Sequence, residues 1–235
     1  MDLEDEYYDK LYIPSLKIKY MRWNIAPLSL MLLALVLVIV GSYNALIILP
    51  EAEGHGNVYR IVFFHVPAAV TAFLAFTVTL ISSIQYLRKR SYNWDIISLS
   101  SAKAGFFLIT AALISGSIWA NVAWGTYWNW DPRETTILVL WFAYAAYFTL
   151  RASIESLEEK AKTSSILAIF AYATIPITYL STRLYASLHP QQASFGEDIG
   201  ATLGMMIIGF ILAYLAYLIL DTKLNSLELK VREVE

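Results

Sequence analysis

Residues 25–48 read IAPLSLMLLALVLVIVGSYNALII, without one Asp, Glu, Lys, Arg or His. A helix needs about 20 apolar residues to cross a hydrocarbon layer of roughly 30 Å, and this run has 24. Five more runs of this kind follow, over 61–87, 96–120, 136–151, 165–184 and 200–220. The fourth is short and is expected to borrow a turn from the preceding loop. The reading is an all-α integral membrane protein of six transmembrane helices. A Trp-rich, amphipathic outer segment (119–135) lies between the third and fourth. Every connection is under about 20 residues, so 25–220 forms one membrane domain, flanked by an N-terminal segment (1–24) and a C-terminal tail (221–235).

Composition agrees. Of 235 residues, 58% are hydrophobic and 15% charged, against about 25% charged in a soluble domain. A soluble fold of this length needs a polar shell that this chain cannot supply. Cysteine is absent, which excludes disulfides, thiolate nucleophiles, cysteine-bound metal clusters and thioether-linked haem. A net charge of −2 gives no reason to expect nucleic acid as a partner. The stretch before residue 25 is polar and unlike a signal peptide, so the first span reads as an uncleaved anchor.

Lysine and arginine set the expected orientation. Lys10, Lys17, Lys19, Arg22, Arg88, Lys89, Arg90, Arg151, Lys160, Lys162, Lys223, Lys230 and Arg232 fall on one side of the six-span layout. The opposite loops carry Arg60 and Arg133, with Arg183 near the end of span 5. The positive-inside rule then puts both termini in the cytoplasm. Lys103, near the cytoplasmic end of span 3, can snorkel. The loops 49–60, 121–135 and 185–199 face outward, and His55, His65 and His189 lie in or beside them.

The sharpest motif is WGTYWNWDPRETT, residues 124–136. With Trp119 before it and Trp141 after, five of the seven tryptophans fall within 23 residues. An aromatic belt is the ordinary source of interfacial tryptophan, but a belt spreads over all helix ends and this cluster occupies one loop. Trp124, Tyr127, Trp128 and Asp131 fall at i, i+3, i+4 and i+7. As a helix, the segment would lie in the interface as a flat aromatic shelf, suited to stacking on a large planar ligand. Asp131, Pro132 and Glu134 also read as a capping-box start for span 4. Arg133, beside the shelf, is a candidate partner for an anionic group.

His65 lies about four residues inside span 2, roughly 6 Å along the helix. An ionisable group at that depth is a functional candidate; the alternative is a ring satisfied by a neighbouring carbonyl. Pro67, close by, removes a helical hydrogen bond. His189, just beyond span 5, is by itself an ordinary loop histidine. His55, between glycines in an acidic loop, reads as non-functional. Two imidazoles on one membrane face, an aromatic platform and arginines for propionates together point to haem, for which imidazole is a standard axial ligand.

At this point the residues resemble a known family. WGTYWNWDPRETT looks like the tryptophan-rich "WWD" signature of haem-handling proteins in cytochrome c biogenesis. Six spans, with one histidine on each side of the signature, are similar to the haem exporter protein C family of the cytochrome c maturation system. The resemblance covers about residues 25–220. It implies b-type haem held on the outer (periplasmic) face of the inner membrane by axial His65 and His189. It also implies transfer of that haem to a membrane-anchored haem chaperone, in a complex with ABC transporter subunits and a small single-span subunit. The matching signature residues are Trp124, Gly125, Trp128, Trp130, Asp131, Arg133 and Thr135; Trp119 and Arg60 join the expected site. The Pro132–Thr135 ending resembles larger WWD relatives of other biogenesis systems at least as much.

No covalent step is required of the chain, so a haem-transfer component and not an enzyme is expected. Three alternatives stand beside it: a bis-histidine haem b redox protein serving quinone, a transporter, and a structural subunit that binds no haem. The inner halves of the spans lack acidic residues, which speaks against a proton-coupled carrier. Small residues at Ala112, Gly116 and Ala120 and at Gly200 and Gly204 are spaced for close helix contacts, either within the chain or between subunits.

Overall fold

The computed structural model describes residues 25–51, 56–189 and 196–232. His55 and the four N-terminal cations counted above lie outside them. Helix α1 spans Ile25–Tyr43 and widens into a π-helical turn, Asn44–Ile48. A 3-10 turn, Asn57–Ile61, leads into α2, Val62–Lys89. Then come α3 (Tyr92–Trp124), α4 (Pro132–Ser153), α5 (Leu157–Tyr172), α6 (Thr174–Leu184) and α7 (Glu197–Arg232). Six of the resulting spans are long and apolar enough to cross a membrane, α5 and α6 together forming the fifth. The fourth does borrow its first turn, beginning at Pro132.

The core explains why such apolar helices pack. Leu28, Leu32, Leu35, Val36 and Ile39 of α1 all point outward, as lipid-facing residues must. The interior is built from small and hydroxylated residues: Ala68, Ala72, Ala75, Ala102, Ala112, Ser83, Ser98 and Ser101 are buried. Lipid offers helices no hydrophobic drive to associate, so close backbone approach and side-chain hydrogen bonds take over. Along α2 and α3, Ser83 and Ser98 bond at 2.9 Å, and the Ser101 hydroxyl donates to the Ala75 carbonyl at 2.7 Å. Phe76 stacks on Tyr144 with ring centres 3.8 Å apart. The most extensive pairings are α2 with α3 and α1 with α7; α4 packs on α6.

Two helices overrun the expected spans at the end nearer the termini, and this brings in acidic residues that the span boundaries had left out. Asp95 on α3 takes a bidentate contact from Arg151 of α4, at 2.7 and 2.5 Å. Asp221 on α7 pairs with Lys103 at 3.4 Å. Both carboxylates are thus tied to cations. The small-residue stripes divide as well. Ala112 and Ala120 are buried between helices, whereas a Cβ on Gly200 or Gly204 would meet nothing within 4 Å.

Candidate functional site

The tryptophan segment is helical only at its two ends, 119–124 in α3 and 132–135 in α4. Helix α3 ends at Trp124, and Gly125 caps it in the left-handed region at φ 81°, its N–H bonding the Asn121 carbonyl at 3.0 Å. Glycine adopts that conformation without penalty and is the usual helix terminator there. Residues 125–131 form a loop, pinned where the Ser117 hydroxyl donates to the Tyr127 carbonyl at 2.7 Å. The expected helical stripe and flat shelf are therefore not formed. Trp128 and Trp130 meet edge to face, 5.8 Å apart at 87°. Trp124 meets the His189 ring edge-on at 4.9 Å. Trp119 packs against the core cluster that contains Phe63 and Leu203, and the Trp141 indole donates to Thr110 at 2.8 Å. Of the five clustered tryptophans, only Trp128 and Trp130 belong to the loop; Trp124 is the last residue of α3.

Below the loop lies a mostly apolar cavity of about 580 Å³, within the range of roughly 300–1,000 Å³ typical of cofactor-sized sites. Its walls come from α2, α3, the start of α4, and the α5–α6 junction, with Trp128 at the top. His65, His189, Arg133 and Glu134 all line it. The fold thus joins His65 and His189, two of the three histidines expected on the outer face, with one of the two outer-loop arginines.

Each histidine has one nitrogen committed. His65 Nδ1 lies 3.0 Å from the Ala112 carbonyl and 3.2 Å from the Ser115 hydroxyl. A carbonyl only accepts, so Nδ1 carries the proton and Nε2 keeps its lone pair. The ring fits because residue 116 is glycine: a Cβ there would fall 2.8 Å from His65 Cε1. His189 repeats the logic with a carboxylate, its Nδ1 donating to Asp131 Oδ1 at 2.8 Å, which again leaves Nε2 free.

Asp131 holds this end of the molecule together. Its Oδ1 also accepts the Arg133 N–H at 2.9 Å, capping α4 as expected. Its Oδ2 accepts the Ser187 hydroxyl and the Leu188 N–H, both at 2.7 Å. In the second half of the capping box Glu134 faces the Asp131 N–H and also accepts the Asn129 N–H at 3.3 Å, while Asn129 Oδ1 shares the Asp131 N–H at 3.0 Å. Burial alone would raise the Asp131 carboxyl. The Ser187 hydroxyl, the two backbone N–H groups and His189 outweigh it and hold the group below its ordinary value. Burial pulls His189 below the ordinary imidazole value, with Arg133 adding to the effect and Asp131 opposing it. The ring is therefore neutral at pH 7, the form that ligates metal.

Arg133 makes no ion pair among the described residues, so its guanidinium is available to a ligand in the cavity. Arg60 is placed differently. It donates to the carbonyls of Leu46 and Leu49, satisfying the end of the first span, and does not line the cavity. Ser187, Ala112 and Gly116 belong to the site although the sequence did not single them out for it.

The family model described as "Heme exporter protein C" matches residues 12–235. A heme exporter protein C of Paracoccus denitrificans is 30% identical over 182 residues, covering 74% of this chain and 76% of that protein. Its counterpart in Bradyrhizobium diazoefficiens is 27% identical over 208 residues, covering 85% and 78%. A cytochrome c biogenesis protein CcsA of Prochlorococcus marinus is 43% identical over 90 residues, but these are 38% of this chain and 28% of that protein.

Proposed function

The chain belongs to the haem exporter protein C family, and on that premise we propose that its cavity carries haem b as cargo between His65 and His189. Family membership gives the chain a role in cytochrome c maturation, within a membrane complex of related components. The observation that carries the finer reading is the pair of imidazoles on one cavity, each with Nδ1 held by an acceptor and Nε2 free. Imidazoles oriented through their far nitrogen are the standard preparation for metal ligation.

The cavity fits this cargo by its own chemistry. The walls are apolar, as a porphyrin face requires, and the guanidinium of Arg133 is available to a propionate. No covalent step is asked of the chain, so it holds and releases haem and is not an enzyme. Tyr127 and Trp130 stand 61% and 71% exposed on the loop. They offer the surface on which a membrane-anchored haem chaperone receives the cargo. ABC transporter subunits and a small single-span subunit complete the complex. The loop end faces the periplasm across the inner membrane and both termini face the cytoplasm, following the distribution of cations.

The test is the absorption spectrum of the detergent-purified protein with added haemin, beside His65→Ala and His189→Ala. The expected result is a six-coordinate b-type spectrum that becomes five-coordinate in either variant. Absence of haem uptake, or a spectrum that neither substitution changes, overturns the reading.

A further inference from the structure

The cavity has a side as well as a top. Among its lining residues, the exposed ones are Val70 on α2 and Pro176 and Tyr179 on α6. Val70 is 39% and Tyr179 58% exposed. Helix α2 packs on α3, α5 and α7, while α6 packs on α4 and makes no comparable contact with α2. A slot therefore runs between α2 and α6. Val70 is five residues past His65, about 7.5 Å along the helix, which puts the slot at hydrocarbon depth. Its floor is closed where Thr77 and Tyr172 bond at 3.1 Å.

One wall of the slot is an interrupted span. The helix is interrupted at Ala173, between α5 and α6. Pro176, three residues on, has no N–H for the Tyr172 carbonyl. Membrane helices tolerate such breaks where they line a cavity. On the outer lip, one turn above Tyr179, Arg183 lies 3.9 Å from the Tyr179 ring centre and bonds its carbonyl at 3.3 Å. Arg183 is exposed and makes no ion pair among the described residues.

We infer that the cavity is loaded sideways from the outer leaflet, through the α2–α6 slot, and that Arg183 on its lip captures a carboxylate of the incoming planar amphiphile. This rests on the cargo reading above. The shape and charge select the occupant. A lipid chain would need no cation at the lip, whereas a flat apolar ring bearing carboxylates meets Arg183 first and Arg133 inside. The route through the bilayer also keeps such a ring out of water, where it is poorly soluble.

The chain has no cysteine, which allows a reversible block. Full-length Val70→Cys/Tyr179→Cys is reconstituted in phosphatidylcholine vesicles and bridged across the slot with a reducible bis-thiosulfonate reagent. Haemin is then supplied from donor phosphatidylcholine vesicles or from an aqueous albumin complex. The b-type spectrum times the loading. The bridged protein is expected to load from vesicles only at background rate, and reductant restores the rate in the same molecules. Wild type treated with reagent is unaffected. Arg183→Gln is expected to slow loading from vesicles about tenfold, as loss of a steering charge does, with the final spectrum unchanged. Equal loading of bridged and reduced protein from vesicles overturns the slot, and so does a block confined to the aqueous arm. Wild type that never develops the spectrum shows failure of the cargo reading itself.

Discussion

His189 Nδ1 donates to Asp131 Oδ1 across 58 positions of sequence, at 2.8 Å. The same carboxylate starts helix α4 and gathers Ser187 and Leu188. A helix cap and a proposed iron ligand are therefore one structural unit. The buried side chain of Asp131, 1% exposed, gives that unit little freedom to adjust.

Substituting Asp131 is expected to affect both halves. Asp131→Ala removes the cap, which costs about 1 kcal/mol, and leaves the Leu188 N–H without an acceptor. Asp131→Asn retains one acceptor oxygen and spares more of the fold. In both, haem affinity should fall roughly 10–100-fold, as for other partners that orient a metal-binding histidine. Haemin titration alongside thermal unfolding checks this; unchanged affinity in the alanine variant would show that Asp131 serves the helix alone.

Acid should act in two stages. Burial leaves the His189 pKa in the fold below the ordinary 6.5. The unfolded chain takes up that proton first, so the contribution to stability is full above about 6.5 and is lost as pH falls through the lower folded value. The second proton on the ring must go to Nε2, so acid also competes for the nitrogen proposed to bind iron. Asp131 is held below its ordinary 3.8. Its contribution is full above that value and is lost only in stronger acid. Unfolding midpoints measured from pH 8 to 3 should show a first drop that shrinks in His189→Gln and a second that shrinks in Asp131→Asn.

Gly116 sets the depth of His65. A methyl group at 2.8 Å from Cε1 forces the ring to move, and its bond to Ala112 must lengthen. Gly116→Ala is therefore expected to give a five-coordinate haem spectrum resembling His65→Ala, with a stability cost of about 1–3 kcal/mol typical of overpacking. Gly204→Ala, where a Cβ meets open space, is the matched control and should leave the spectrum unchanged.

The buried Asp95–Arg151 pair belongs to stability and not to cargo. Its side chains are 10% and 12% exposed. Removing either partner leaves a buried charge alone, at a cost of about 3–5 kcal/mol. Asp95→Leu and Arg151→Leu should each unfold earlier, and the double variant should recover much of the loss. The haem spectrum of folded protein should not change. A non-additive cycle in denaturation midpoints is the measurement.

What the sequence made legible follows from the reach of each signal. The uncharged run 25–48 declares a span because lipid solvates nothing else of that length. The cap of α4 is local, written in Asp131 and Pro132. The meeting of Asp131 with Ser187 and His189 is not local, and no spacing announces it. The period of Trp124, Tyr127, Trp128 and Asp131 imitated a helix, but Gly125 follows an apolar run as a terminator does, and that signal governs the chain there. Arg60 carried the right charge on the expected face. Its role was decided by carbonyls left open at the widened end of the first span, which composition does not display.

Trp130 separates function from stability most sharply. It is 71% exposed and sits at φ 62°, in the left-handed region, at a cost of roughly 1–2 kcal/mol for a residue with a Cβ. Its edge-on contact with Trp128 returns about 0.5–1.5 kcal/mol, which at most balances the strain. Trp130→Gly removes the strain and the contact together, whereas Trp130→Ala loses the contact and keeps the strain. Glycine should therefore be the more stable of the two variants by about 1 kcal/mol, against the usual order within ordered segments. If the exposed indole is kept for handing haem to a partner, both variants should bind haem as wild type does and deliver it slowly to the chaperone. Melting curves and a timed transfer assay decide the matter. A glycine variant that melts well below wild type but transfers normally would assign Trp130 to the fold instead.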